Sequence, residues 1–265
     1  MKTGISTIAL RHLDVFQAID LAEDAGFQAI EVWGRAPHTP DEFDEKHTLA
    51  VRDRILGKGM EPTVFGSYVR SGAEGFQETA AMGLRVAETL GSTIIRVWAG
   101  QTEPPSATEE DWRRSAEDLR WMCERAADKG MVLAMEMHCG TLALTPEGTL
   151  RLIELAGVDN LKLNYQIANP GEPDFERGVS LVGDHVAMVH AQNFVPSPEG
   201  SQHAWDRALI EDGLADYAQL IRLLKPHGFD GCVEVEFLKY EPDTDLMIGA
   251  MKKDAAYLRK ITSEA

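Results

Sequence analysis

Cysteine is scarce in this chain: Cys123, Cys139 and Cys232 are the only three among 265 residues, widely spaced and without a C-x-x-C pair. That argues against a disulfide framework and fits a reducing compartment. Long apolar runs are missing too. The opening MKTGISTIALRHLD has a short apolar stretch but neither the long h-region nor the small-residue cleavage site of a signal peptide, and nothing resembles a membrane span. The expectation is a cytoplasmic protein with no membrane partner. Positive charge is in short supply, with 26 Lys and Arg against 43 Asp and Glu and a formal net charge of −17. Such a surface favours solubility and repels polyanions, so nucleic acid is not expected as a partner. The stretch STIALRHLD after the first apolar run lacks the Gly-rich phosphate loop that a doubly wound nucleotide-binding sheet would need. No Pro/Ser/Gly-rich linker divides the chain, so residues 1–265 are read as one domain.

What is present is an alternation. Hydrophobic residues make up 44% and charged residues 26%, an ordinary globular composition. Eight short β-type runs recur: GISTIA, AIEVWG, PTVFGS, TIIRVWA, VLAMEMH, LKLNYQ, VAMVHAQN and CVEVEF. Between them lie amphipathic stretches such as DVFQAIDLAEDAG, FQETAAMGLRVAETLG and LADYAQLIRLLKPHG, with apolar residues three and four apart. Gly26, Gly59, Gly91, Gly130, Gly157 and Gly228 stand where helices should stop. Eight strands each followed by a helix mean parallel pairing with right-handed crossovers, which predicts a (β/α)8 TIM barrel.

In that fold chemistry collects at the C-terminal ends of the strands. The fifth run ends in Glu136 and His138, and the sixth in Asn164 and Gln166. The seventh ends in His190, Gln192 and Asn193, and the eighth carries Glu234 and Glu236. Residues two apart share a face, so Glu136 with His138, Asn164 with Gln166, Met188 with His190, and Glu234 with Glu236 can each point into the barrel together. An isolated buried carboxylate is costly. Two Glu and a His meeting there call for a divalent cation, and O and N donors suit Mn, Mg, Co, Fe or Zn. Arg96 and Lys162 have inward parity and are candidates to neutralise Glu31 or Glu234 deeper in the barrel. Trp33 and Trp98, at the ends of the second and fourth runs, either stack on a sugar or pack the barrel mouth. His38, in the loop GRAPHTP, either reaches a substrate hydroxyl or lies on the surface.

Five segments taken in order carry a family resemblance: GFQAIEVWG, VLAMEMH, LKLNYQIANP, VHAQN and GFDGCVEVEF. The chain resembles the sugar phosphate isomerase/epimerase family, the xylose-isomerase-like TIM barrels, over nearly its whole length. The resemblance implies one metal ion, Mn foremost, held by Glu136, His190 and Glu236. Gln166 would be the fourth ligand where the family usually has Asp, which leaves the site formally neutral. It also implies substrate contacts from His138, Asn169, Gln192 and Asn193, with Arg207 in place of an Arg that usually follows closely. Glu136 and Glu236 would be the acid and base that move a proton beside a carbonyl. The implied activity is isomerisation or epimerisation of a small carbohydrate, in a protein that forms homo-oligomers. The same constellation can run an elimination, as a dehydratase or a 3-keto-glycoside lyase, with His138 protonating the leaving group. A non-catalytic sugar-binding barrel is the remaining alternative. Endonuclease IV belongs to the same superfamily, but its site needs His from the third and fourth strands, where this chain has FGSYV and RVWAG. No basic cluster marks a phosphate site, so a non-phosphorylated substrate is expected.

Overall fold

The computed structural model describes residues 1–167, 169–171, 173–239 and 244–264, with the side chain of residue 244 left aside. The strands are β1 (Lys2–Ser6), β2 (Ala29–Trp33), β3 (Glu61–Arg70), β4 (Ile94–Trp98), β5 (Val132–Glu136), β6 (Leu161–Tyr165), β7 (Val186–Ala191), β8 (Asn193–Pro196), β9 (Trp205–Ala208) and β10 (Cys232–Val235). The helices are α1 (Val15–Ala25), α2 (Glu45–Gly57), α3 (Phe76–Leu90), α4 (Glu109–Ala127), α5 (Pro146–Ala156), α6 (Phe175–Val182), α7 (Tyr217–Leu224) and α8 (Thr244–Glu264). β1 to β7 and β10 pair in parallel and close into a barrel, β1 lying between β2 and β10. This is the predicted (β/α)8 architecture as one closed unit.

Local chemistry starts and stops the helices. Asp14 caps α1, accepting from the backbone of Phe16 and Gln17, and Gln17 returns a bond to the Asp14 amide. Thr108 and Asp111 make the same reciprocal pair at α4. All six glycines expected at helix stops adopt positive φ. Strand alternation then sorts the core. Val64, Ile94, Ala134 and Met188 fill the barrel interior, and the larger apolar cluster lies between sheet and helices.

Two features depart from the expected pattern. β3 does not stop at Ser67 but runs on to Arg70, which pairs with Trp98 of β4. The stretch from Asn193 to Ala208, which reads as a loop, forms an antiparallel hairpin of β8 and β9 beside the mouth. No helix among the described residues is long and apolar enough to cross a membrane.

Candidate active site

Register fixes the height of each polar group. Glu136 pairs with Asn164, Glu234 with His190, and Gly66 with Arg96. Gly66 has a steric purpose. A Cβ there would stand 2.1 Å from Glu31 Oε1 and 3.1 Å from Arg96 Nη2, so only glycine leaves room for that pair.

His190 is the hub. Its Nε2 lies 2.6 Å from Glu31 Oε2. Its Nδ1 lies 3.7 Å from Glu136 Oε1 and 3.6 Å from Glu236 Oε1. Arg96 donates to Glu136 Oε2 at 2.8 Å, to the Gly66 carbonyl at 3.2 Å and to Glu31 Oε1 at 3.5 Å. All of these groups are buried. Arg96 therefore neutralises Glu31, as its parity suggested, and holds Glu136 as well. Lys162 acts instead on Asp184 and His185, where β7 begins.

The electrostatics split the carboxylates. Burial opposes ionisation of Glu136, but Arg96 and His190 outweigh it and hold its pKa at about 2. Burial pushes Glu236 up to about 7, with Glu136 and Glu31 adding to the rise against His190 and Arg96. Glu31 stays below its ordinary value because His190 and Arg96 overcome burial. Glu234 is driven well above its ordinary value by burial and by Glu31. Burial disfavours the His190 cation, yet Glu31 and Glu236 raise its pKa well above the usual imidazole value.

The ligand atoms of Glu136, His190 and Glu236 lie within 4.8 Å of one another. His190 Nδ1 and Glu236 Oε2 are buried without a hydrogen-bond partner among the described residues. One nitrogen and carboxylate oxygens form a donor set suited to a divalent ion. The second imidazole nitrogen rests on a carboxylate, as the outer partner of a metal-bound His does. A deeper group, Glu31, His190 and Glu234, is equally close. It fits less well, because Glu31 is already bonded to His190 and Arg96 and Glu234 is held neutral.

Gln166 departs from its expected role. Its amide nitrogen, not its oxygen, faces the centre, donating to the Met137 carbonyl at 2.6 Å and to Glu136 Oε1 at 3.3 Å. Turning the amide over would set its oxygen against two acceptors, so the Met137 carbonyl fixes the orientation. Gln166 orients Glu136 here, with its amide oxygen turned away from Glu136. That oxygen accepts from Gln192 Nε2 at 3.3 Å, and Gln192 Oε1 accepts from Arg207 at 3.2 Å.

The other predicted residues fall into two groups. Around the mouth, Trp98 packs on His138 with ring centroids 4.5 Å apart, and Trp33 Nε1 donates to Tyr68 Oη at 2.8 Å. Arg207 lies over Phe237 at 3.9 Å, and exposed Asn169 accepts from the Gly171 amide. Two residues stay out of the cluster. His38 is buried, one ring nitrogen 2.9 Å from Thr7 Oγ1 and the other 3.1 Å from the Leu13 carbonyl, so it is neither a substrate contact nor a surface residue. Asn193 donates to the carbonyls of Ile210 and Ala215 and accepts from the amides of Phe194 and Ala215. Its side chain is used up in pinning the loop after β9. Sequence reading missed Arg70. The signal was the continued alternation of Val64, Gly66, Tyr68 and Arg70 on one face of β3.

Fold and donor cluster together define a (β/α)8 barrel with a carboxylate–imidazole centre at its C-terminal mouth. The chain belongs to the xylose isomerase-like TIM barrel family, whose sequence profile matches residues 19–261. It is 26% identical over 172 residues to a 3-dehydroshikimate dehydratase from Bacillus anthracis, covering 62% of this chain and 61% of that protein. It is 30% identical over 151 residues to a fructoselysine 3-epimerase from Escherichia coli O157:H7, covering 51% of this chain and 54% of that one. The matched stretches thus span under two thirds of either relative's length. Among solved structures, a xylose isomerase-like TIM barrel protein from Mycobacterium smegmatis in complex with magnesium superposes with a TM-score of 0.75. It is 16% identical, with 99% of this chain and 97% of that one covered.

Proposed function

We propose that this protein is a divalent-metal-dependent lyase that dehydrates a polyhydroxylated carbonyl compound, with Glu236 as the base. The observation that carries this reading is the asymmetry of the two carboxylates. Glu136 is held ionised by Arg96 at 2.8 Å and is tied to Gln166, which makes it a poor proton acceptor. Glu236 keeps a buried oxygen with no hydrogen-bond partner among the described residues, which leaves it as the carboxylate free to take and return a proton. One free base suits an elimination better than an epimerisation, which needs a proton carrier on each face.

Glu136, His190 and Glu236 would hold the metal, manganese or magnesium, which supplies Lewis acidity at the substrate carbonyl when bound. Glu236 removes the proton from the carbon beside the carbonyl. The C–H electrons become the new C=C bond as the β C–O bond breaks. His138 gives a proton to the departing oxygen, which leaves as water. Its Nδ1 donates to the Cys139 carbonyl at 2.8 Å, so the proton given is the Nε2 proton of the doubly protonated ring, which returns to the neutral Nδ1–H form. The dehydratase among the relatives supports the same chemistry.

Epimerisation is the second reading, favoured by the epimerase relative and by the approach of both Glu136 Oε1 and Glu236 Oε1 to His190 Nδ1. It requires Glu136 to leave Arg96. The test is incubation of manganese-loaded protein in D2O with a panel of inososes, ketohexoses and cyclic hydroxy-keto acids. Dehydration gives a conjugated carbonyl absorbing in the ultraviolet and a mass loss of one water. Deuterium uptake without mass loss would select the epimerase. Neither change across the panel would overturn both readings.

A further inference from the structure

The barrel mouth carries two arginines, Arg35 and Arg70, that have no acidic partner among the described residues. Arg70 is half-buried at the end of β3, its guanidinium 4.6 Å over the Trp98 ring. Tyr68 stacks on Trp98 with centroids 6.0 Å apart, and Arg35 lies 3.8 Å over Tyr68. Among the described residues no carboxylate lies within ion-pair distance of Arg70 or Arg35, although the chain has 43 acidic residues. Glu136 is the ionised group whose field reaches Arg70, and it is already bonded to Arg96. Arg70 Nη1 is spent on the carbonyls of Gly100 at 2.7 Å and Gly140 at 3.3 Å. That pair of bonds fixes the fork and leaves the Nη2 and Nε edge for a ligand. Beside it, the buried indole nitrogen of Trp98 has no hydrogen-bond partner among the described residues, and His138 packs on the same ring.

A half-buried guanidinium without a counter-charge among its neighbours is stabilised by a ligand that supplies one. We propose that Arg70, on its Trp98 platform, receives a carboxylate of the substrate, so that the substrate is a hydroxy-keto acid and not a neutral sugar. A single guanidinium edge matches a monoanion bound through two parallel N–H···O bonds, whereas a phosphate dianion would call for more donors. The global charge of −17 repels anions, so recognition of an acid here rests on this local cation. The inference rests on the reading of the mouth as a substrate site and names the class of compound that enters it.

The experiment is calorimetric binding to manganese-loaded protein of paired non-reactive probes, a cyclic polyhydroxy acid such as quinate and its primary amide. The acid is expected to bind about tenfold to a hundredfold more tightly than the amide, the range of a charge-assisted pair. Arg70→Met should abolish that preference, while Arg70→Lys should keep part of it. Thermal melting of both variants separates loss of the anion contact from loss of the Gly100 and Gly140 tether. Equal binding of acid and amide by the wild type would overturn the carboxylate assignment and leave the substrate site standing. So would a preference that survives in a folded Arg70→Met. Failure of both probes to bind would overturn the substrate site itself.

Discussion

Replacing Gln166 by Asp puts the most sharply defined contact of the centre to the test. The Gln166 amide nitrogen serves two acceptors, the Met137 carbonyl at 2.6 Å and Glu136 Oε1 at 3.3 Å. Asp donates to neither when ionised, and it sets a second carboxylate beside Glu136. Two lost hydrogen bonds cost about 1 kcal/mol each, and a buried carbonyl left without a donor adds roughly 1–3 kcal/mol. The metal-free variant should therefore be about 3–5 kcal/mol less stable. At about 2–4 °C per kcal/mol for a chain of this size, that lowers the Tm by roughly 6–20 °C. With a divalent ion the sign reverses, because the new carboxylate adds an anionic ligand and a neutral centre becomes singly negative. Manganese affinity should rise about tenfold to a hundredfold, and saturating metal then restores several kcal/mol by mass action. Scanning calorimetry of wild type and Gln166→Asp, with chelator and across a manganese titration, measures both effects. A chelated variant as stable as wild type would show that the amide does not support Glu136. Unchanged manganese affinity would show that position 166 has no access to the ion.

Two other substitutions follow from the same structure. Glu31→Gln removes the anion that holds His190 Nε2 at 2.6 Å; manganese affinity should fall about tenfold to a hundredfold with the fold retained, and unchanged affinity by calorimetry would refute an orienting role for Glu31. Asp254 is buried on α8, where it accepts from the Ile210 amide at 2.8 Å, and its pKa is raised by burial from 3.8 to about 7. Because the folded state binds this proton more tightly, the group costs nothing below about pH 4 and destabilises by about 1.4 kcal/mol per pH unit up to about pH 7. Asp254→Asn keeps an acceptor for Ile210 and cannot ionise. It should exceed wild type by a few kcal/mol in urea unfolding at pH 8 and match it at pH 4, and an equal gain at both values would refute the linkage.

The barrel was legible because its signals are local and repeated. Alternating runs, amphipathic stretches and a glycine after each helix determine the order of elements, and strand ends then place Glu136, His190 and Glu236 in one mouth. The parity of Arg96 and Glu31 was readable on the same grounds. What the sequence concealed depends on atoms that residue identities do not specify. The orientation of Gln166 is decided by the backbone carbonyl of Met137, and no side-chain pattern reports it. His38 sits in a turn-rich loop whose composition resembles a surface, yet Thr7 and the Leu13 carbonyl enclose it. The hairpin was obscured because VPSPEG carries the composition of a turn, while its partner strand begins nine residues after Pro196. Asn193 looked like a mouth residue from its position after His190, but it stands three residues on, an odd step that puts it on the other face, and its amide is turned toward the loop after β9.

That hairpin pairs only with itself and takes no rung of the barrel ladder. In evolutionary terms it is an appendage that can be lengthened, shortened or exchanged between lineages while the barrel folds as before. One thread limits that freedom. Arg207 on β9 bonds Gln192, Gln192 bonds Gln166, and Gln166 bonds Glu136. A lineage that remodels the hairpin also loosens or tightens the grip on Glu136. A change in the hairpin is therefore felt at Glu136, through the two glutamines that join them.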